Sequence, residues 1–222
     1  MLTWFKHKTY PEFWENYQSH FKNKKEMDLD HTRFVVFDTE TTGLNPATDR
    51  ILSIGAITVI GNTLHIDDSF EMFLKQDTFN ADTVEIHGIL KEGSITKFEE
   101  EEAVIRFLAY IKDAVLVAHH AAFDIAMINQ SLMRLGLPKL KNRSLDTGIL
   151  FKKTTLHKTN DKHYGLDELS DIFNIKKHDR HTASGDAYIT GILFLKILSN
   201  LKKTKTINLK DLFFNSNRRG LI

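Results

Sequence analysis

The run Ile51–Ile60 (ILSIGAITVI) reads as a buried strand, and Gly61-Asn62 directly after it is a tight hairpin turn. Leu64–Leu74 must therefore return beside it as an antiparallel strand. Ahead of this hairpin, Phe34–Asp38 has the composition of another strand, and LNPATDR supplies the turn that joins the two. A three-strand antiparallel meander at the front commits the chain to a sheet before any helix is placed.

Beyond the meander, helix and strand alternate. Thr83–Leu90 predicts a short helix and Phe98–Lys112 a clear amphipathic one. Ala114–Ala118 (AVLVA) is a buried strand leading into a helix over Ala122–Leu135, which Gly136 and Pro138 end. A short strand around Arg143–Leu145 reaches Asp146 and is followed by a helix. Leu166–Phe173 and Ser184–Leu201 are two more helices. A meander followed by alternating helix and strand predicts an α/β fold with a mixed sheet.

Three segments are expected. Residues 1–32 form an aromatic and basic helical extension, residues 33–203 the main domain, and residues 204–222 a tail that docks on the domain or on a partner. In the first segment Pro11 opens a helix, and Phe13, Trp14, Tyr17 and Phe21 recur at helical spacing. Their plain use is an aromatic face laid on the domain. With Lys6, Lys8, Lys22, Lys24 and Lys25 between the aromatics, stacking against single strands is the alternative. The chain has 222 residues, 41% apolar and 27% charged, with a formal net charge of +1. That balance announces neither a nucleic-acid nor a membrane partner, so any such contact is local. No cysteine is present, which excludes disulfides, thiolate metal sites and a cysteine nucleophile. The N-terminal residues lack the apolar core of a signal peptide and no stretch approaches the length of a membrane span. A cytoplasmic, membrane-free protein is the expectation.

The chemistry gathers in FDTETTG, residues 37–43. Residues two apart on a strand share a face, so Asp38 and Glu40 project together while Phe37 turns away. Two neighbouring carboxylates cannot both stay ionised cheaply in a partly buried site, and no basic residue lies within the motif. A divalent metal resolves this, and an all-oxygen ligand set suits Mg²⁺ or Mn²⁺. The bland reading is a pair of exposed acids at a strand end. Asp124, in AHHAAFD, lies just inside a helix, where the dipole alone favours a carboxylate. Asp186, in HTASGDA, falls early in the last long helix among Ala187, Ile189, Ile192 and Leu193, an odd place for an unpaired charge. His181 stands five residues before it.

FDTETTGL, AHHAAFD and HTASGDA, in that order, resemble the three motifs of the DEDDh, DnaQ-like 3′→5′ exonucleases, the family that includes the proofreading epsilon subunit of bacterial DNA polymerase III. The resemblance spans about residues 33–200 and takes in ILSIGAI, EIHGI at 85–89 and LDT at 145–147. It implies a ribonuclease H-like fold. By position it makes Asp38, Glu40, Asp124 and Asp186 the metal-binding acids and His181 the catalytic histidine. The histidine variant of the family is implied because no tyrosine stands four residues before Asp186. Two departures stand out. His120 replaces the family's usual asparagine, which bears on fine geometry or substrate preference. Ser184 replaces a larger apolar residue, which bears on helix packing.

The family's chemistry uses two divalent cations, Mg²⁺ or Mn²⁺, roughly 3.5–4 Å apart, to clamp the attacking and leaving oxygens of a phosphodiester displacement. His181 would serve as general base, a role imidazole suits because its ordinary pKa, about 6.5, lies near working pH. The resemblance assigns Thr41 and Leu44 to the terminal nucleotide, and His87 to the same pocket or, equally, to a plain helix end. Asp146 is a supporting carboxylate or a helix cap. The basic run Lys176–Arg180 beside His181 is expected to contact phosphate. The implied partner is a nucleic acid with a free 3′ end, foremost single-stranded DNA, with a DNA polymerase or repair protein as a possible second. Two alternatives remain open: the same chemistry on RNA or oligoribonucleotides, and an exonuclease-fold subunit that acts chiefly as a binding module in a polymerase assembly. A metal-binding protein without catalysis ranks below both, because it leaves His181 unexplained.

Overall fold

The structure, a computed structural model, describes residues 9–22, 28–77, 88–89, 95–158 and 163–214. Apart from residues 88 and 89, the helix expected over Thr83–Leu90 lies outside them. Strands β1 (Arg33–Thr41), β2 (Ile51–Ile60) and β3 (Thr63–Leu74) form the antiparallel meander. With β4 (Lys97–Phe98), β5 (Val115–Ala118) and β6 (Ser144–Asp146) they make a six-stranded sheet in the order β4-β3-β2-β1-β5-β6. β5 runs parallel to β1, and β6 parallel to β5. The two-residue β4, which takes Phe98 from the start of the expected helix Phe98–Lys112, pairs in parallel with Phe73 and Leu74.

β1 lies inside the sheet and is covered on both faces, which is why Phe34–Phe37 is an unbroken apolar run rather than an alternating one. Phe34 and Val36 pack with the long helix α6 (Ala183–Thr204), the Phe34 ring 5.0 Å from that of Phe194. Val35 and Phe37 face the opposite layer, made by α2 (Glu100–Ile111) and α3 (Ala121–Arg134), with Phe37 5.7 Å from Phe107. Two core clusters thus sandwich the sheet. Smaller helices α4 (Thr147–Phe151) and α5 (Leu166–Ile172) complete the α6 side.

The N-terminal helix α1 (Glu12–Ser19) belongs to the α2 layer. Trp14 and Tyr17 are buried in that core, so these aromatics serve packing and are not available to stack on a strand. Tyr17 Oη donates to Asn142 Oδ1 (2.6 Å) and accepts from Lys141 N–H (2.8 Å), pinning the helix to the loop before β6. Burial pushes its phenol up to about 12. Trp4, Phe5, Lys6, Lys8, Lys24 and Lys25 lie outside the described residues. At the other end, α7 (Leu209–Phe213) opens with a capping box of Asn208 and Asp211 and sinks Leu212 into the α6 core. No described helix is long and apolar enough to cross a membrane.

Candidate active site

β1 outruns its parallel neighbour. Val36 pairs with Val117, and β5 ends one residue later at Ala118, so the β1 backbone beyond Phe37 has no strand on that side. Asp124 of α3 fills the gap. Its Oδ1 accepts from Thr39 N–H (3.1 Å) and Thr39 Oγ1–H (2.7 Å), replacing a ladder bond with a carboxylate. Thr39 points to the α3 layer. Asp38 and Glu40, of the same parity as Phe34 and Val36, point to the α6 layer.

α6 reaches them because Gly55 has no side chain. Gly55 lies opposite Asp38 in the β1–β2 ladder, and a Cβ there would stand 2.2 Å from Ala183 C and Ser184 N. The first turn of α6 therefore rests on bare backbone and delivers Asp186 beside Asp38. Gly185 makes a second close approach, where a Cβ would stand 2.1 Å from Asp179 O. The turn before the helix folds tightly over it, with Asp179 and His181 both at positive φ (53° and 64°) and Thr182 Oγ1 capping Gly185 N–H at 3.1 Å. Ser184 Oγ donates to Glu71 of β3 at the same contact.

Asp38, Glu40 and Asp186 each offer a carboxylate oxygen lying within 4.8 Å of the others. Asp38 is pushed well above the usual carboxylate range, first by loss of water and then by the charges of Asp124, Asp186 and Glu40. Glu40 rises to about 7 through burial and Asp186, with Arg180 pulling it back. Asp124 also rises to about 7, through burial that its Thr39 hydrogen bonds only partly offset. Asp186 Oδ2 accepts from Arg180 and lies 3.4 Å from His181 N–H. Its Oδ1 is buried with no hydrogen-bond partner among the described residues. A buried carboxylate oxygen left open, beside acids that raise one another's pKa, is a donor set short of positive charge, and its hard oxygens fit a divalent cation.

Sequence reasoning missed two contributors. Thr39 sits between the motif's acids and holds Asp124. Arg180, expected to meet phosphate, instead donates to Asp186 and forks onto Asp167 (2.7 and 3.1 Å). The signal available for it was an arginine six residues before the last acid. Lys177 is likewise paired, with Asp171 at 2.7 Å. His181 is exposed, with no hydrogen bond to its imidazole among the described residues.

The second motif's other histidine is spoken for. His119 Nε2 lies 2.9 Å from the Tyr164 carbonyl and must donate, leaving Nδ1 to accept from Thr147 Oγ1 at 2.9 Å. Burial and His120 lower it to about 4, so it is a neutral strut. Asp146 caps: Oδ1 accepts from Gly148 and Ile149 N–H, and Oδ2 from Ala121 N–H, joining the starts of α4 and α3. Past β1, Asp49 fastens the turn by accepting from Thr42 Oγ1 (3.0 Å) and Asn45 N–H (2.8 Å). This turn presents Leu44 to solvent, 86% exposed, while Thr41 is buried with its hydroxyl donating to Gly43 O. His87 lies outside the described residues.

The sequence profile of the RNase_T family, described as "Exonuclease", matches residues 35–194. The DNA polymerase III PolC-type protein of Caldanaerobacter subterraneus subsp. tengcongensis is 38% identical over 174 residues, covering 77% of this chain and 12% of that protein. Its counterpart in Halalkalibacterium halodurans is 34% identical over 181 residues, covering 80% and 12%. The chain thus spans about an eighth of the length of these relatives. Among solved structures, E. coli Exonuclease I in complex with a dT13 oligonucleotide superposes with a TM-score of 0.66 at 18% identity, covering 78% of this chain and 42% of that one. Cell-death related nuclease 4 gives a TM-score of 0.66 at 11% identity, covering 77% and 64%. These likenesses establish the fold as ribonuclease H-like.

Proposed function

Because the chain belongs to the exonuclease family, we propose that it hydrolyses phosphodiester bonds at the 3′ ends of DNA and releases nucleoside 5′-monophosphates. The observation that carries this reading is the convergence of acids from β1 and α6 within 4.8 Å of one another, with Asp186 Oδ1 buried and unpartnered among the described residues. Two divalent cations, Mg²⁺ or Mn²⁺, supply an activated water and neutralise the departing 3′ oxygen when bound. Asp38, Glu40, Asp124 and Asp186 hold them. Thr39 fixes the Asp124 carboxylate, so this acid arrives already oriented. An imidazole nitrogen of His181 accepts the proton of the attacking water and, being exposed, passes it to solvent. Leu44 offers an apolar surface for the terminal base, and Thr41 braces the turn that carries it. His87 belongs to the same pocket in this reading.

Single-stranded DNA is the substrate favoured by the fold likeness to an exonuclease captured on dT13. The PolC-type relatives support work beside a DNA polymerase, in proofreading or repair, and this reading sets that work in the cytoplasm. Chromatography of the products from an unlabelled oligodeoxynucleotide tests the reaction. Nucleoside 5′-monophosphates should appear with Mg²⁺ or Mn²⁺ and vanish with EDTA. His181→Ala should lower kcat by about 10²- to 10⁴-fold while Mn²⁺ affinity is kept. Internal fragments, or nucleoside 3′-monophosphates, would refute the reading.

A further inference from the structure

Resting on the metal-nuclease reading, we propose that Arg180 is the resident cation of the site and competes with a metal ion for Asp186. The guanidinium is shared between two carboxylates: one arm donates to Asp186 Oδ2, while Nε and Nη2 fork onto Asp167 at 2.7 and 3.1 Å. A planar fork held on one carboxylate is directed at the other, so its position is set by Asp167 and not by chance. Asp186 Oδ2 also lies near the His181 N–H, which leaves the buried Oδ1 without a partner among the described residues.

Arg180 does for the cluster what a metal would do. Its charge rests on Asp186, whose carboxylate lies within 4.8 Å of those of Asp38 and Glu40. It lies on the α6 side of the recess, held by the turn at residues 179–182 that Gly185 allows to fold so tightly. A cation that bridges Asp186 through Oδ2 must therefore displace the Arg180 arm, and a cation bound through Oδ1 must tolerate a guanidinium beside it. Either way the arginine weakens metal binding by the resting protein. In exchange it keeps the clustered acids Asp38, Glu40 and Asp186 from driving one another apart. The sequence position carries the device: Arg180 is fixed in the turn before the helix, so Asp186 and its counter-ion move together.

The test is Mn²⁺ titration of the full chain without nucleic acid, read by the electron paramagnetic resonance of free Mn²⁺ and by the thermal shift on Mn²⁺ addition. Arg180→Gln should bind Mn²⁺ about tenfold or more tightly than the unsubstituted chain, since removing a unit charge at contact range is worth at least that factor. Its melting temperature should rise more on Mn²⁺ addition. Arg180→Lys, which keeps the charge, should stay near the unsubstituted affinity. A merely structural role predicts the opposite sign, a loosened site and weaker Mn²⁺. Unchanged or weaker binding by an Arg180→Gln chain that still unfolds cooperatively would overturn the proposal, and Arg180→Met carries the same test if the glutamine variant does not fold. Asp38→Asn separates the two levels: Mn²⁺ binding that survives it lies outside the cluster and refutes the metal-nuclease reading itself.

Discussion

Thr39 lies between the two acids of β1 and faces away from both, yet it sets the state of a third. Its N–H and hydroxyl hold Asp124 Oδ1, and burial still drives Asp124 to about 7, the same range as Glu40. Without metal these carboxyls carry protons near neutral pH that a cation must displace. Metal affinity should therefore fall by about tenfold for each proton displaced as the pH drops one unit below 7. Stability has the opposite slope. A carboxyl with a folded pKa of about 7 and an ordinary unfolded one binds more protons in the native state between about pH 4 and 7, so the contribution of these groups to stability is lost as pH rises through that window. Metal-free melting curves should show that loss, and saturating Mg²⁺ should remove it. Melting temperatures independent of metal across this range would contradict the assignment. Asp38, Glu40 and Asp186 stand out in the sequence, and the fold brings their carboxylates together. The partners that Thr39 and Arg180 choose were not legible there, because a hydroxyl between two acids and an arginine in a basic run give no sign of what they will meet across the fold.

At the scale of elements, the site depends on how close α6 comes to the sheet. Gly55→Ala places a methyl carbon against the backbone of Ala183 and Ser184, which cannot move without carrying Asp186 with it. The expected cost is about 1–3 kcal/mol in stability. A helix displaced by even an ångström should lower kcat by about 10²-fold. Denaturant unfolding and steady-state kinetics on one preparation check both, and full activity would show that α6 has room to spare. The meander was readable because Gly61-Asn62 fixes a hairpin and the strands around it are long. β4 was not, since two residues paired with Phe73 and Leu74 leave no periodicity. The long helix starts one residue before the expected Ser184, because Thr182, its cap, precedes a run of small residues with no apolar marker.

For the molecule as a whole, one sheet with a core on each face brings the carboxyl ends of β1, β5 and β6 to the same edge, where ligands of such sheets gather. The α1 helix is part of that body, with Trp14 fully buried against the α2 layer. Trp14→Ala should cost about 3–5 kcal/mol in denaturant unfolding, and a negligible loss would mark α1 as an appendage. Sequence alone left the aromatic face two uses, because the same spacing serves a core and a stacking surface; only the packing of Trp14 and Tyr17 decides between them. The central claim is that the clustered acids hold metal for cleavage from the 3′ end. Single-stranded DNA labelled at its 5′ end, incubated with Mg²⁺ or Mn²⁺, tests it most directly. A ladder that shortens one nucleotide at a time, abolished by EDTA and by Asp38→Ala, is the predicted result. Undiminished digestion by the Asp38→Ala chain, or a label released at once as mononucleotide, would contradict it.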